Sequence, residues 1–192
     1  MEKEDNWAKI YDRIYSGYKE DIKFYIDESK KVKGRVLEVG CGTGRIYLEL
    51  LRRGIDCYGI DISKAMIEKL KSKKDNFNPK VKVADMKSFR YNKKFELIII
   101  PFRTFLMNLT QKDQIKTLRN CYAHLKTGGK LILNFHSPDH SLLSQTLDLK
   151  KTSGNGTYFI DRINQVIRMI YKEGKEVFTF DMTFIGKKEF EL

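Results

Sequence analysis

A chain of 192 residues, 41% hydrophobic and 32% charged, is long enough to bury one hydrophobic core and short for two. No apolar run reaches the roughly 18 residues of a membrane span. The N-terminus MEKEDNW lacks the apolar stretch of a secretory signal, and Cys41, Cys57 and Cys121 form neither an even set nor a C-x-x-C pair. These features predict a soluble cytoplasmic protein with no membrane contact and no metal site. The net charge of +12 keeps nucleic acid in view as a partner without favouring it. Lysine, poorly suited to bidentate phosphate recognition, outnumbers arginine 27 to 10. Lys64, Lys69, Lys71, Lys73 and Lys74 follow one predicted helix as a solvated face.

From Trp7 to Ser29, Ile10, Ile14, Tyr18, Ile22 and Ile26 recur at helical steps, predicting one amphipathic helix or two broken at Gly17. After Gly34 short apolar runs alternate with helical segments. RVLEV (35–39) reads as a buried strand, and RIYLELLRRG (45–54) as a helix stopped by Gly54. DCYGI (56–60) is the next strand, and Ser63 is placed as N-cap for a helix over 64–73. KVKVA (80–84) and FELIII (95–100) follow as strands, the second apolar enough for the centre of a parallel sheet. Thr110 and Asp113 form a capping box for a helix carrying Ile115, Leu118, Tyr122 and Leu125; Gly128-Gly129 ends it before a fifth strand, KLILNF (130–135). The tail over 162–185 alternates around Glu173-Gly174 like an antiparallel hairpin. The predicted fold is therefore α/β: a Rossmann-like, doubly wound, mostly parallel sheet with an N-terminal helix and a C-terminal antiparallel hairpin.

In such sheets ligands bind beyond the carboxyl ends of the strands. VLEVGCGTGR (36–45) places Gly40, Gly42 and Gly44 at that point, letting the chain turn tightly and bring bare N–H groups to a ligand. The spacing is not that of the dinucleotide fingerprint G-x-G-x-x-G, and Glu38 beside it repels a pyrophosphate but suits a ligand with positive charge.

LEVGCGTGR followed by GIDISKAMIEKL resembles the first two motifs of the class I S-adenosylmethionine-dependent methyltransferases, over about residues 34–135. The resemblance implies S-adenosyl-L-methionine as cofactor and S-adenosyl-L-homocysteine as product. It implies that Glu38 meets the ammonium of the methionyl part while Gly40, Cys41, Gly42 and Gly44 let the backbone approach. It implies that Asp61, about 20 residues after Gly40, takes the ribose hydroxyls. It further implies that Ile62 and Met66 press on the nucleoside, that Asp85 accepts from the adenine amino group while Met86 meets the ring through its N–H, and that Pro101 begins the substrate-side loop.

That loop, IIIPFRTF, lacks the Asp/Asn-Pro-Pro-Tyr/Phe sequence of DNA and some protein N-methyltransferases and resembles small-molecule members of the family. The leading expectation is methyl transfer to a small-molecule acceptor. The alternatives are an RNA or protein methyltransferase and a catalytically incomplete cofactor-binding module. No catalytic residue is identified; Tyr11, Tyr15, His136 and Arg103 are candidates at the rim. The expected organisation is one domain over 1–192: a helical lid (1–33), the cofactor-binding core (34–135) and a hairpin region (136–192) that looks like an incomplete family C-terminus. An exposed fifth strand then predicts a homodimer.

Overall fold

Strands β1 (Val36–Val39), β2 (Cys57–Asp61), β3 (Lys80–Val83), β4 (Phe95–Ile100) and β5 (Leu125–Leu133) pair in parallel in the order β3-β2-β1-β4-β5. The computed structural model describes residues 2–15, 17–73, 78–134, 151–153, 156–161, 166–173 and 176–183. The helices are α1 (Glu2–Tyr15), α2 (Ile22–Lys30), α3 (Tyr47–Arg52), α4 (Lys64–Ser72) and α5 (Gln111–His124), with a 3-10 turn at Thr104–Met107. After β3 the chain crosses back past β2 and β1 to place β4 on the other side of β1, the switch-point topology of a doubly wound sheet.

Alternation along the central strands supplies both cores. Val36, Leu97 and Ile99 point to the face covered by α2, α3 and α4, where Tyr25, Ile26, Leu50 and Ile67 meet them. Leu37, Val39, Ile98 and Ile100 point to the other face, against Phe89, Phe105 and Cys121 of α5. These strand side chains are fully buried, each contributing about 1.5–3 kcal/mol relative to exposure.

Local chemistry sets most element ends. Ser63 accepts from the Met66 N–H at 3.3 Å and Thr110 accepts from the Asp113 N–H at 3.1 Å, both as N-caps. Of the two N-terminal alternatives, the structure has two helices, with Gly17 between them.

Helix α5 departs from expectation twice. It ends at His124, because Leu125 turns extended and pairs beside Phe95; Gly128-Gly129 falls within β5, where the register slips between Phe95 and Leu97. Its apolar stripe also faces outward: Ile115, Leu118 and Tyr122 are 40, 38 and 81% exposed, while Thr117, Asn120, Cys121 and His124 are buried. Polar loop backbone beneath the helix needs hydrogen-bond partners, which an apolar face cannot supply.

Residues Ser137–Leu192 form a second unit. Its strands β6 (Lys151–Ser153), β7 (Gly156–Asp161), β8 (Val166–Glu173) and β9 (Glu176–Thr183) pair antiparallel in that order.

Candidate functional site

Beyond the carboxyl end of β1 the chain turns through Gly40 (φ +76°) and Gly42 (φ +50°), left-handed values that cost an L side chain about 1–2 kcal/mol. A Cβ on Gly40 would lie 2.2 Å from Cγ2 of Thr104, so the loop after β4 packs directly on this turn. A Cβ on Gly42 would meet nothing within 4 Å; here the turn opens onto free space.

The N–H groups were expected to be bare, and four are not. Gly40 and Cys41 both donate to the Ile60 carbonyl at 2.8 and 2.9 Å, and Gly44 donates to the Cys41 carbonyl at 2.9 Å. Gly42 donates to Oδ2 of Asp61 at 2.8 Å. What the turn offers a ligand is therefore close approach more than donors. The Cys41 thiol points away, 2.9 Å from where a Cβ on Gly59 would stand, and burial followed by the carboxylates of Glu38 and Asp61 pushes it well above the usual thiol range. It is packing, not a nucleophile.

Two acids flank the turn. Asp61 ends β2, and its Oδ1 accepts from the Ser63 N–H at 2.9 Å, so one carboxylate ties the glycine turn to the start of α4. Glu38 is 3% exposed, and its Oε2 has no hydrogen-bond partner among the described residues. Burial raises its carboxyl well above the ordinary range, against the pull of Arg45, with Asp61 and Asp21 adding to the rise. A buried carboxylate oxygen without a partner is costly and favours a cationic ligand.

The N-terminal helices close over this end of the sheet. The Thr43 hydroxyl, fully buried, donates to Oδ1 of Asp12 at 2.5 Å, and Lys73 reaches the same oxygen at 3.0 Å. Lys73 is thus a clamp and not part of a solvated face. Arg45 donates to both oxygens of Asp21 at 2.5 and 2.8 Å and lies 5.2 and 5.3 Å from the rings of Tyr18 and Phe102. Tyr15 packs edge-on against Phe102 at 5.1 Å and tilted against Tyr11 at 4.8 Å. Burial pushes the Tyr11 phenol up to about 12, against the pull of the neighbouring Arg45 guanidinium, so it keeps its proton at neutral pH. Phe102 itself holds φ +59°, and the Arg103 guanidinium lies 4.7 Å from its ring.

Of the remaining candidates, Met66 and Pro101 are buried, Ile62 is 66% exposed, and Asp85 and Met86 form a turn after β3. His136 lies outside the described residues. His124, in the last turn of α5, is an interior hydrogen-bonding ring: its Nε2 accepts from the Tyr91 N–H at 3.2 Å and its Nδ1 pairs with the Asn120 carbonyl at 2.8 Å. Sequence reasoning missed Asp12, Thr43, Arg45 and Thr104. Their roles depend on contacts between distant segments, and no local spacing marks them. Among the described residues no acidic, His or Cys cluster is set to hold a metal ion, and no helix is long and apolar enough to cross a membrane.

Comparison with known proteins agrees with this geometry. The family described as "Methyltransferase domain" matches residues 36–129, from β1 into β5. YqeM of Bacillus subtilis, named a "Putative methyltransferase", is 28% identical over 155 residues, covering 74% of this chain and 62% of its own. Across the first three curated relatives, this chain spans 47 to 62% of their length. A S-adenosylmethionine-dependent methyltransferase from Clostridium acetobutylicum has the same fold (TM-score 0.70, 21% identity, 92% of this chain and 78% of that one). So does CalS10, an amino pentose methyltransferase from Micromonospora echinaspora solved with S-adenosylmethionine bound (TM-score 0.64, 20% identity, 90% and 79%). With motif, topology and glycine turn in agreement, residues 36–129 form a methyltransferase domain, and their fold is that of the class I S-adenosylmethionine-dependent methyltransferases.

Proposed function

We propose that this protein transfers the methyl group of S-adenosylmethionine to a small-molecule acceptor. The observation that carries the reading is Glu38, whose buried, partnerless Oε2 stands beside a glycine turn that opens onto free space. A nucleoside bearing a cationic amino-acid tail suits both features.

In this reading Glu38 receives the ammonium, and the turn at Gly40, Cys41, Gly42 and Gly44 accepts the tail in close approach. Asp61, which already ties the Gly42 and Ser63 N–H groups together, addresses the ribose hydroxyls from the end of β2. Asp85 and the Met86 N–H address the adenine, with Ile62, Met66 and Pro101 along its flank. Bound cofactor supplies a methyl group already activated on a sulfonium. The protein's own work is to align the acceptor and exclude water, which is worth up to about 7–11 kcal/mol. Tyr11 donates a hydrogen bond at the rim, Tyr15 and Phe102 wall it, and Arg103 meets an anionic portion of the acceptor. Likeness in fold to a sugar N-methyltransferase, KedS8, and to the amino pentose methyltransferase CalS10 supports a small acceptor. Calorimetric titration with S-adenosylhomocysteine tests the reading: binding to the wild type and at least about tenfold weaker binding to Glu38→Gln are expected. Equal affinity of the two proteins refutes it.

We also propose a cytoplasmic homodimer. The three free, buried cysteines fit a reducing compartment. Among the described residues the outer edge of β5 carries no further strand in the five-stranded sheet, a liability that pairing relieves. A monomer by light scattering at micromolar concentration refutes the dimer.

A further inference from the structure

We infer that Asn120, on the inward face of α5, is a positioning residue that shapes the turn at Asp85 and Met86 and so sets selectivity for the nucleobase. The inference rests on the reading of Asp85 and Met86 as the adenine contacts.

The turn has little order of its own. Asp85 closes it locally: its carbonyl accepts from Ser88 and Phe89 N–H at 3.0 and 2.9 Å, and its Oδ1 accepts from the Lys87 N–H at 2.8 Å. Further hydrogen bonds come from α5 and the loop leading into it. Asn120 Nδ2 donates to the carbonyls of Met86 and Phe89 at 3.2 and 3.3 Å, spanning the turn from one buried side chain. Asn108 Nδ2 donates to Sδ of Met86 at 3.1 Å, and its own Oδ1 is held by the Thr117 hydroxyl at 3.2 Å. His124 takes the N–H of Tyr91 farther along the same loop, and Asp113 faces Nζ of Lys87 at 3.6 Å.

The polar face of α5 is thereby explained. A helix whose inward residues are Thr117, Asn120, Cys121 and His124 gives up apolar burial, and in exchange it holds a loop that no strand ladder orders. Pinning the Met86 carbonyl fixes the backbone at the residue whose N–H is to face the base, while the Asx turn fixes the Asp85 carboxylate beside it. A donor and an acceptor locked together read the adenine edge and reject a base with the donor–acceptor order changed. Such discrimination is lost when the pair is free to drift.

The test compares the binding of S-adenosylhomocysteine with that of S-inosylhomocysteine, in which the 6-amino group is replaced by oxygen. Wild type, Asn120→Leu, Cys121→Ala and Asp85→Ala are titrated, with folding checked by circular dichroism and melting. Cys121 is fully buried on the same helix face and serves as the control for lost stability alone. Asn120→Leu is expected to reduce the adenine-to-hypoxanthine affinity ratio about tenfold, and Cys121→Ala to leave it unchanged. If Asp85→Ala collapses the ratio while Asn120→Leu preserves it, the positioning role is refuted and the base reading stands. If wild type does not discriminate, or Asp85→Ala keeps the ratio, the reading of the turn fails and takes the inference with it. Should Asn120→Leu not fold, Asn120→Asp, which keeps the shape but withdraws the donor, is held to the same ratio.

Discussion

The hydroxyl of Thr43 and the carboxylate of Asp12 meet at 2.5 Å across 31 residues of sequence, joining the N-terminal helix to the glycine turn itself. Helix α1 and the glycine turn are one hydrogen-bonded unit, so disturbing either end should be felt at the other. Asp12→Ala removes the acceptor from a fully buried hydroxyl and frees Lys73, at a cost of about 1–3 kcal/mol. Hydrogen exchange should then quicken across α1 while β1 and β4 stay protected, and affinity for S-adenosylhomocysteine should drop several-fold. Unaltered exchange in α1 would show that the latch does not hold the lid.

Asp61 accepts the N–H groups of Gly42 and Ser63 with separate oxygens. Asp61→Ala leaves two donors without partners and withdraws the proposed ribose acceptor, so two measurements should move together. Stability should fall by about 1–3 kcal/mol in urea melts, and S-adenosylhomocysteine affinity by at least about tenfold. Lost stability at constant affinity would confine Asp61 to a structural role.

Glu38 predicts opposite signs for stability and binding. Burial holds its carboxyl proton more tightly in the folded protein than in the unfolded chain. The stability tied to that proton is complete below the ordinary carboxylate range and is lost as pH rises through the raised value. Ligand-free wild type should therefore lose melting temperature relative to Glu38→Gln as pH rises from about 5 to 9, with the variant roughly 2–8 °C higher at the alkaline end. Parallel melting curves over that range would contradict the raised carboxyl.

The two glycines of the turn should fail differently. Gly40→Ala drives its Cβ into Thr104 and should destabilise the fold. Gly42→Ala meets no neighbour, so its stability cost is limited to the left-handed backbone, about 1–2 kcal/mol, while its methyl projects into the space proposed for the cofactor. Near-normal melting with at least about tenfold weaker S-adenosylhomocysteine binding is expected, and undiminished binding would move the cofactor elsewhere.

Much of this architecture is legible in the chain by itself, wherever the cause is local. The caps at Ser63 and Thr110, the stop at Gly54, the apolar run of β4 and the glycines after β1 are decided by residues a few positions apart, and such signals survive in a one-dimensional string. The acids Glu38 and Asp61 were legible for the same reason, since each ends or borders a recognisable strand.

Tertiary structure alone decided which face of α5 turns inward, which lysine is a clamp and which histidine is interior. Ile115, Leu118 and Tyr122 have the period of a core stripe yet lie outside, because the loop after β3 needed the hydrogen bonds of Asn120 and His124 more than the sheet needed apolar area. Asp12 with Thr43, Asn120 with Met86 and Lys73 with Asp12 are pairs 31 to 61 residues apart. Amphipathic period and capping report what a segment prefers in isolation. A hydrogen bond between distant segments exists only after the chain has folded, when burial makes an unpaired polar group expensive.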